Sequence, residues 1–220
     1  ALVMHLMRCY DMMIPESWKR LMEKQCEFVA CSMVNETKAC EFGDNDEGKI
    51  LDLEGGEICH YRYLLQLCSL VLGKRYESFE HLSETISWLY SETEIETLKQ
   101  LPLWKPSQSR TFEEGGYTFL RSKNGKVVIG IDHAPLGFGS IAAHGHADAL
   151  SFQLYVDGNC ILGDPGTYIY HCYIQKRDEY RRSCNHNTVW AKDQEQSQMM
   201  GAFLWGKKAV TKLLKSDLKE

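Results

Sequence analysis

The spacing of apolar residues changes its period part-way along the chain. Up to about residue 103 they recur every three or four positions, the signature of helices with one buried face. Leu2, Leu6, Cys9 and Met13 form a first stripe, and Pro15 precedes a second helix predicted over 16–34. A third spans 61–73 with Leu64, Leu65, Cys68, Val71 and Leu72, stopped by Gly73. Helices over 77–90 and 92–101 complete the set, their Met and Trp residues belonging to the core. After a polar stretch punctuated by Pro106, the period becomes two. Strands are predicted over 117–121 and 127–131, joined by Lys123-Asn124-Gly125, and over 149–156 and 160–162, joined by Asp157-Gly158. Further short strands are expected at 188–190, 202–205 and 209–214. Helices first and antiparallel strands afterwards predict an α+β, multidomain chain: residues 1–103, a linker over 104–113, and 114–220.

One stretch interrupts the pattern with chemistry. His144, Gly145, His146, Ala147 and Asp148 run straight into the alternating Leu150, Phe152, Leu154 and Val156. If it is already extended, His144, His146 and Asp148 share one face, and burying three polar groups is costly unless they bind something. His-x-His is a common pair of zinc ligands, and Asp164 and His186 follow as further candidates. Asp164 could equally cap the Pro165-Gly166 turn. A second cluster holds Tyr168, Tyr170, Tyr173, Arg177, Tyr180, Arg181 and Arg182. Phenols near cations serve as general acids or bases, and arginines hold carboxylates. Both suit a lyase that removes the proton beside a uronate carboxyl group.

Several classes drop out. A net charge of -5 argues against a general nucleic-acid binder, though a local basic cleft could still hold an anionic polysaccharide. No apolar run approaches the roughly 20 residues of a membrane helix. Nine cysteines without a CxxC pair look neither like a zinc finger nor like a disulfide scaffold. The acidic loop Phe42 to Lys49 invites a calcium test: with Gly48 sixth, Glu54 falls twelfth, but the first ligand becomes Gly43, which has no side chain. His-x-His-x-Asp also opens the metallo-β-lactamase motif, whose next ligand is here Ala149. The chain begins in mid-helix without a methionine, so a piece of a longer protein is expected.

The run His144 to Phe152 resembles the central motif of the heparinase II/III family of polysaccharide lyases. Val156-Asp157-Gly158, Asp164-Pro165-Gly166-Thr167-Tyr168, Tyr180-Arg181-Arg182-Ser183, His186-Asn187-Thr188-Val189 and Gln194 continue it in order. The loop Gly43 to Gly48 is similar to one in members encoded with exopolysaccharide genes. The resemblance implies a partial (α/α) toroid followed by an antiparallel β-sandwich, and β-elimination on a uronic-acid-containing polysaccharide. It implies a structural zinc on His146, Asp164 and His186. His144, Tyr168 and Tyr180 would be catalytic and Arg177 and Arg181 would bind substrate. Asp148 is either a further ligand or a group orienting a histidine. Toroid asparagine or histidine and tyrosine groups of the family have no match in residues 1–40, His5 and Tyr10 being poor candidates. The alternative is a non-catalytic polysaccharide-binding or exopolysaccharide assembly protein that keeps the zinc-stabilised sandwich. The family points to a bacterial periplasm or envelope, the unpaired cysteines to a reducing compartment.

Overall fold

In the computed structural model the chain forms two units, Ala1–Ala39 with Lys49–Ser107, and Cys40–Gly48 with Gln108–Glu220. The structure describes residues 1–45, 48, 53, 60–106, 109–170 and 172–218. Asp46, Glu47, Lys49 and Glu54, which entered the calcium test, lie outside the described residues.

The first unit is helical: α1 (Leu2–Cys9), α2 (Glu16–Ser32), α3 (His60–Leu72), α4 (Glu84–Leu89) and α5 (Glu92–Lys99). Met22, Cys26 and Ala30 of α2, four residues apart, meet Leu65, Leu67, Leu70 and Val71 of α3 in the core, with Ile86, Ile95 and Leu98. Gly73, at φ +65°, ends α3, and Lys74 N–H reaches back to the Ser69 carbonyl at 3.1 Å, a Schellman closure. Ser91 and Glu94 cap α5 reciprocally.

Two expectations change here. In α1 the buried residues are Met4 and His5, while Leu6 is exposed and Met13 is 88% exposed beyond the helix end. A spacing of three or four in so short a helix fits more than one face. The helix expected over 77–90 shrinks to α4 because Glu77 prefers another use. Its carboxylate accepts from Gln66 Nε2 (2.8 Å), Phe79 N (2.7 Å) and Arg62 Nε (3.2 Å), and Phe79 turns left-handed at φ +61°.

The second unit is built on a five-stranded antiparallel sheet in sequence order: β1 (Arg110–Phe112), β2 (Tyr117–Arg121), β3 (Val127–Asp132), β4 (Phe152–Val156) and β5 (Asn159–Leu162). Both hairpins expected from the sequence are present, β2 with β3 and β4 with β5. Strand β1 falls inside the stretch expected to be linker. A helix, α6 (Ile174–Tyr180), a 3-10 turn (Ser183–Asn185) and a small hairpin of β6 (Met199–Gly201) and β7 (Leu204–Trp205) follow.

The stretches 188–190 and 209–214 are not strands. Side chains there take the place of a ladder: Thr188 Oγ1 and Gln196 Nε2 donate to the Ala149 carbonyl, and Thr211 Oγ1 donates to that of His133.

Residues 40–44 cross the sheet as an extra layer. Gln153 on β4 satisfies the Glu41 backbone twice, accepting from its N–H at 3.3 Å and donating to its carbonyl. Gly130 on β3 leaves the space: a Cβ there would meet Cys40 Sγ at 2.8 Å. Phe42 then packs on Tyr117, ring centroids 4.9 Å apart. Among the described residues no helix is long and apolar enough to cross a membrane.

Candidate functional site

The histidine motif lies between β3 and β4, in a segment that is not a strand. His144 is left-handed at φ +64°, so the alternation expected over 144–148 breaks at its first residue. His146 and Asp148 are buried, whereas the His144 side chain is 45% exposed. Asp148 instead opens a turn, its carbonyl accepting from Ser151 N–H at 2.8 Å, before β4 begins at Phe152. Gly145 permits the packing, since a Cβ there would fall 2.9 Å from the Gly137 nitrogen.

His146, Asp164 and His186 converge, one ligand atom from each lying within 4.8 Å of the others. Asp164 closes the turn, as one of its two readings allowed, and turns its other oxygen to a histidine. Its Oδ1 accepts from Gly166 N–H at 2.9 Å, closing the turn, and its Oδ2 lies 2.9 Å from His186 Nδ1. Burial pulls the His186 pKa down, but the bond and charge of Asp164 outweigh it and raise it. His146 Nδ1 and His186 Nε2 are buried without a hydrogen-bond partner in the protein, which leaves both nitrogens available to a ligand. Two imidazoles and a carboxylate suit zinc.

Asp148 lies behind this group. Burial pushes its carboxyl up to about 8, helped by the charge of Asp132, itself raised to about 6 by burial. A cavity of about 200 Å³ is lined by Asp132, Asp148, Tyr117, Leu136, His144 and His146.

His144 stands against an aromatic wall. Its Nδ1 is 3.0 Å from Tyr170 Oη, its ring stacks on Tyr170 at 13°, and Phe203 packs against both rings. Tyr168, at φ +56° and 67% exposed, stacks on Tyr180 with centroids 4.8 Å apart. The two expected tyrosines thus meet each other rather than His144.

Arg177 and Arg181 depart from their expected role as substrate-binding groups. Each is 1% exposed, and the terminal nitrogens of both guanidinium groups bond to protein acceptors. Arg177 makes a two-pronged pair with Asp44, one bond being Nη1 to Oδ1 at 2.9 Å, and lies against the Tyr170 and Phe203 rings. Arg181 bonds Asp178 and the carbonyls of Gly201 and Ala202, over the Trp205 ring. Helix α6 is the physical reason. It turns both residues, four apart, toward the β6–β7 hairpin, and the sequence reading had not recognised that helix.

Asp44 is the functional residue that the sequence does not single out, its loop being tested there only as a calcium site. The carboxylate is 1% exposed and receives Arg177 and His146 Nε2 (3.1 Å). Burial would raise its pKa, but those bonds hold it well below the usual carboxylate range. His146 is shifted down by burial against the opposing Asp44 bond, so a neutral ring faces a carboxylate balanced by Arg177. The available signal was Gly43-Asp44, a glycine beside an acid in a segment outside both periodic patterns.

The profile of the family Heparinase II/III-like, C-terminal, matches residues 105–219. No curated protein sequence matches the chain. Among solved structures, it is similar to the heparinase III product of BT4657 (21% identity, TM-score 0.57, 83% of this chain and 25% of that one). It also resembles a structure titled heparinase III (17%, 0.56, 94% and 30%). A heparan sulfate lyase HepC from Pedobacter heparinus gives 16%, 0.52, 83% and 25%. At these identities the likeness is one of fold, and the chain spans less than a third of the length of each. With the profile covering more than half of it and the motifs in order, the chain belongs to the heparinase II/III-like family.

Proposed function

We propose that this chain is part of a polysaccharide lyase that cleaves a uronic-acid-containing polysaccharide by β-elimination. The observation that carries the reading is a half-exposed histidine, His144, held by an aromatic wall beside an enclosed His/Asp/His group. Elimination breaks the C5–H bond, the electron pair forms the C4–C5 double bond, and the C4–O4 bond breaks. His144 neutralises the uronate or moves the C5 proton, and Tyr168 or Tyr180 gives a proton to the leaving O4. Arg177 and Arg181 are enclosed, whereas the His144 side chain is 45% exposed and open to a substrate.

His146, Asp164 and His186 would hold zinc, which when bound cross-links three chain segments, a structural role. The helical unit then forms part of an (α/α) toroid, and the sheet unit part of the β-sandwich. The family setting is a bacterial periplasm or envelope.

The test uses the full-length protein beside His144→Ala, incubated with a panel of uronate polysaccharides that includes heparan sulfate. The ultraviolet absorbance of the unsaturated uronate product is followed, and metal content is measured. Rising absorbance with wild type alone, and about one zinc per chain that His186→Ala loses, is the expected result. A flat trace from folded, zinc-loaded wild type across the panel would overturn the lyase reading in favour of polysaccharide binding or assembly.

A further inference from the structure

The triplet Gly43-Asp44-Asn45 touches both halves of the site. Asp44 N–H donates to the His144 carbonyl at 2.9 Å, and Asn45 N–H donates to Thr167 Oγ1 at 2.6 Å, next to Tyr168. Gly43, at φ +68°, lies so close to the His144 carbonyl that a Cβ would collide with it. The main chain of this loop therefore clamps that of His144, and the clamp delivers one enclosed carboxylate.

That carboxylate addresses both histidines. Oδ1 is hydrogen-bonded to His146 Nε2 at 3.1 Å, and Oδ2 lies 3.4 Å from His144 Nδ1 as a charge contact, that nitrogen's hydrogen bond being with Tyr170 Oη. An acceptor-only group favours a proton on whichever ring nitrogen faces it. On His146 this puts the hydrogen on Nε2 and leaves the orphaned Nδ1 with a lone pair. On His144 it puts the hydrogen on Nδ1, which Tyr170 Oη can accept at 3.0 Å, and leaves Nε2 bare. Arg177 keeps the arrangement from rotating, because its two-pronged bond fixes the carboxylate plane.

We propose that Asp44 is the positioning residue of the site: seated by Arg177, it sets the tautomers of both histidines, leaving His146 Nδ1 for a metal and His144 Nε2 for the substrate. Asp44 does not touch substrate itself. The catalytic half of this statement rests on the lyase reading above, while the tautomers do not.

The experiment is ring-nitrogen NMR on the metal-free, histidine-labelled protein, with signals assigned from His144→Gln and His146→Gln. Wild type should show the Nδ1–H form at His144 and the Nε2–H form at His146. Asp44→Asn, whose amide oxygen still accepts from Arg177 while its NH2 faces His144 Nδ1, should move His144 toward Nε2–H. In the zinc-loaded enzyme it should lower kcat by about 10- to 100-fold with KM within about threefold. Unchanged tautomers in a folded Asp44→Asn protein would overturn the proposal.

If Asp44→Asn does not fold, Tyr170→Phe decides. His144 retained as Nδ1–H supports control by Asp44, and a switch to Nε2–H assigns control to Tyr170 and overturns it. If wild type eliminates no polysaccharide while the ring pattern follows Asp44, the lyase reading falls and the positioning role stands.

Discussion

Replacing Arg177 by alanine separates two roles for a cation that its sequence context cannot distinguish. In the fold its guanidinium and the Asp44 carboxylate are each 1% exposed, so the substitution strands a negative charge in the interior. Removing one partner of such a pair costs about 3–5 kcal/mol, far more than the pair contributes as a whole. At about 2–4 °C per kcal/mol for a chain of this size, the melting temperature should fall by roughly 6–20 °C. The loss should shrink when the other charge is also removed. Asp44→Asn combined with Arg177→Met leaves no buried ion, and calorimetry on the four proteins of that cycle should give a coupling above about 1 kcal/mol. An Arg177→Ala protein that melts within about 2 °C of wild type, yet no longer binds a uronate polysaccharide, would refute this reasoning. It would return Arg177 to the substrate-facing role its sequence context first implied.

Gln153→Leu should destabilise the sheet unit by about 2–4 kcal/mol by stranding both backbone groups of Glu41, and a loss under about 0.5 kcal/mol in urea unfolding would mean water replaces the amide. Burial, assisted by Arg8 and opposed by Glu94, lowers the His5 pKa below its usual value near 6.5. The unfolded chain then takes up a proton that the fold refuses, so stability is complete above about pH 6.5 and declines as pH falls below it. His5→Phe should flatten that decline between pH 7.5 and 5.5, and an unaltered slope in urea midpoints would exonerate His5. Ser91→Ala removes half of the reciprocal cap on α5 and should cost about 1 kcal/mol by thermal unfolding, an unchanged midpoint showing that water or Glu94 alone suffices.

What could be read from the sequence was whatever a short window encodes. Helix α3 with its glycine stop, α2, α5 and the two hairpins depend on neighbours a few residues apart, and those elements appeared where their periods put them. Side-chain chemistry narrowed the metal candidates to His144, His146, Asp148, Asp164 and His186, and the family resemblance, not local pattern, picked out the three that converge. Arg177 illustrates the opposite case. A guanidinium reads as a ligand for anions, and only the distant Asp44, 133 positions earlier, makes it an interior group. Asp44 depends in turn on a glycine at 130 and a glutamine at 153 that make room for its segment and satisfy it. Such tertiary debts leave no trace in local period.

The left-handed backbone at His144 and Tyr168 has a consequence for anyone engineering the protein. A side chain with a Cβ pays roughly 1–2 kcal/mol to sit at such angles, and glycine does not. Against that strain stand the ring contacts of His144 with Tyr170 and Phe203 and of Tyr168 with Tyr180, so a campaign that selects for heat resistance alone will sample glycine at both positions. A glycine kept at either would remove a side chain the chemistry is proposed to need, so hardening this fold safely means exempting residues 144 and 168 from the search.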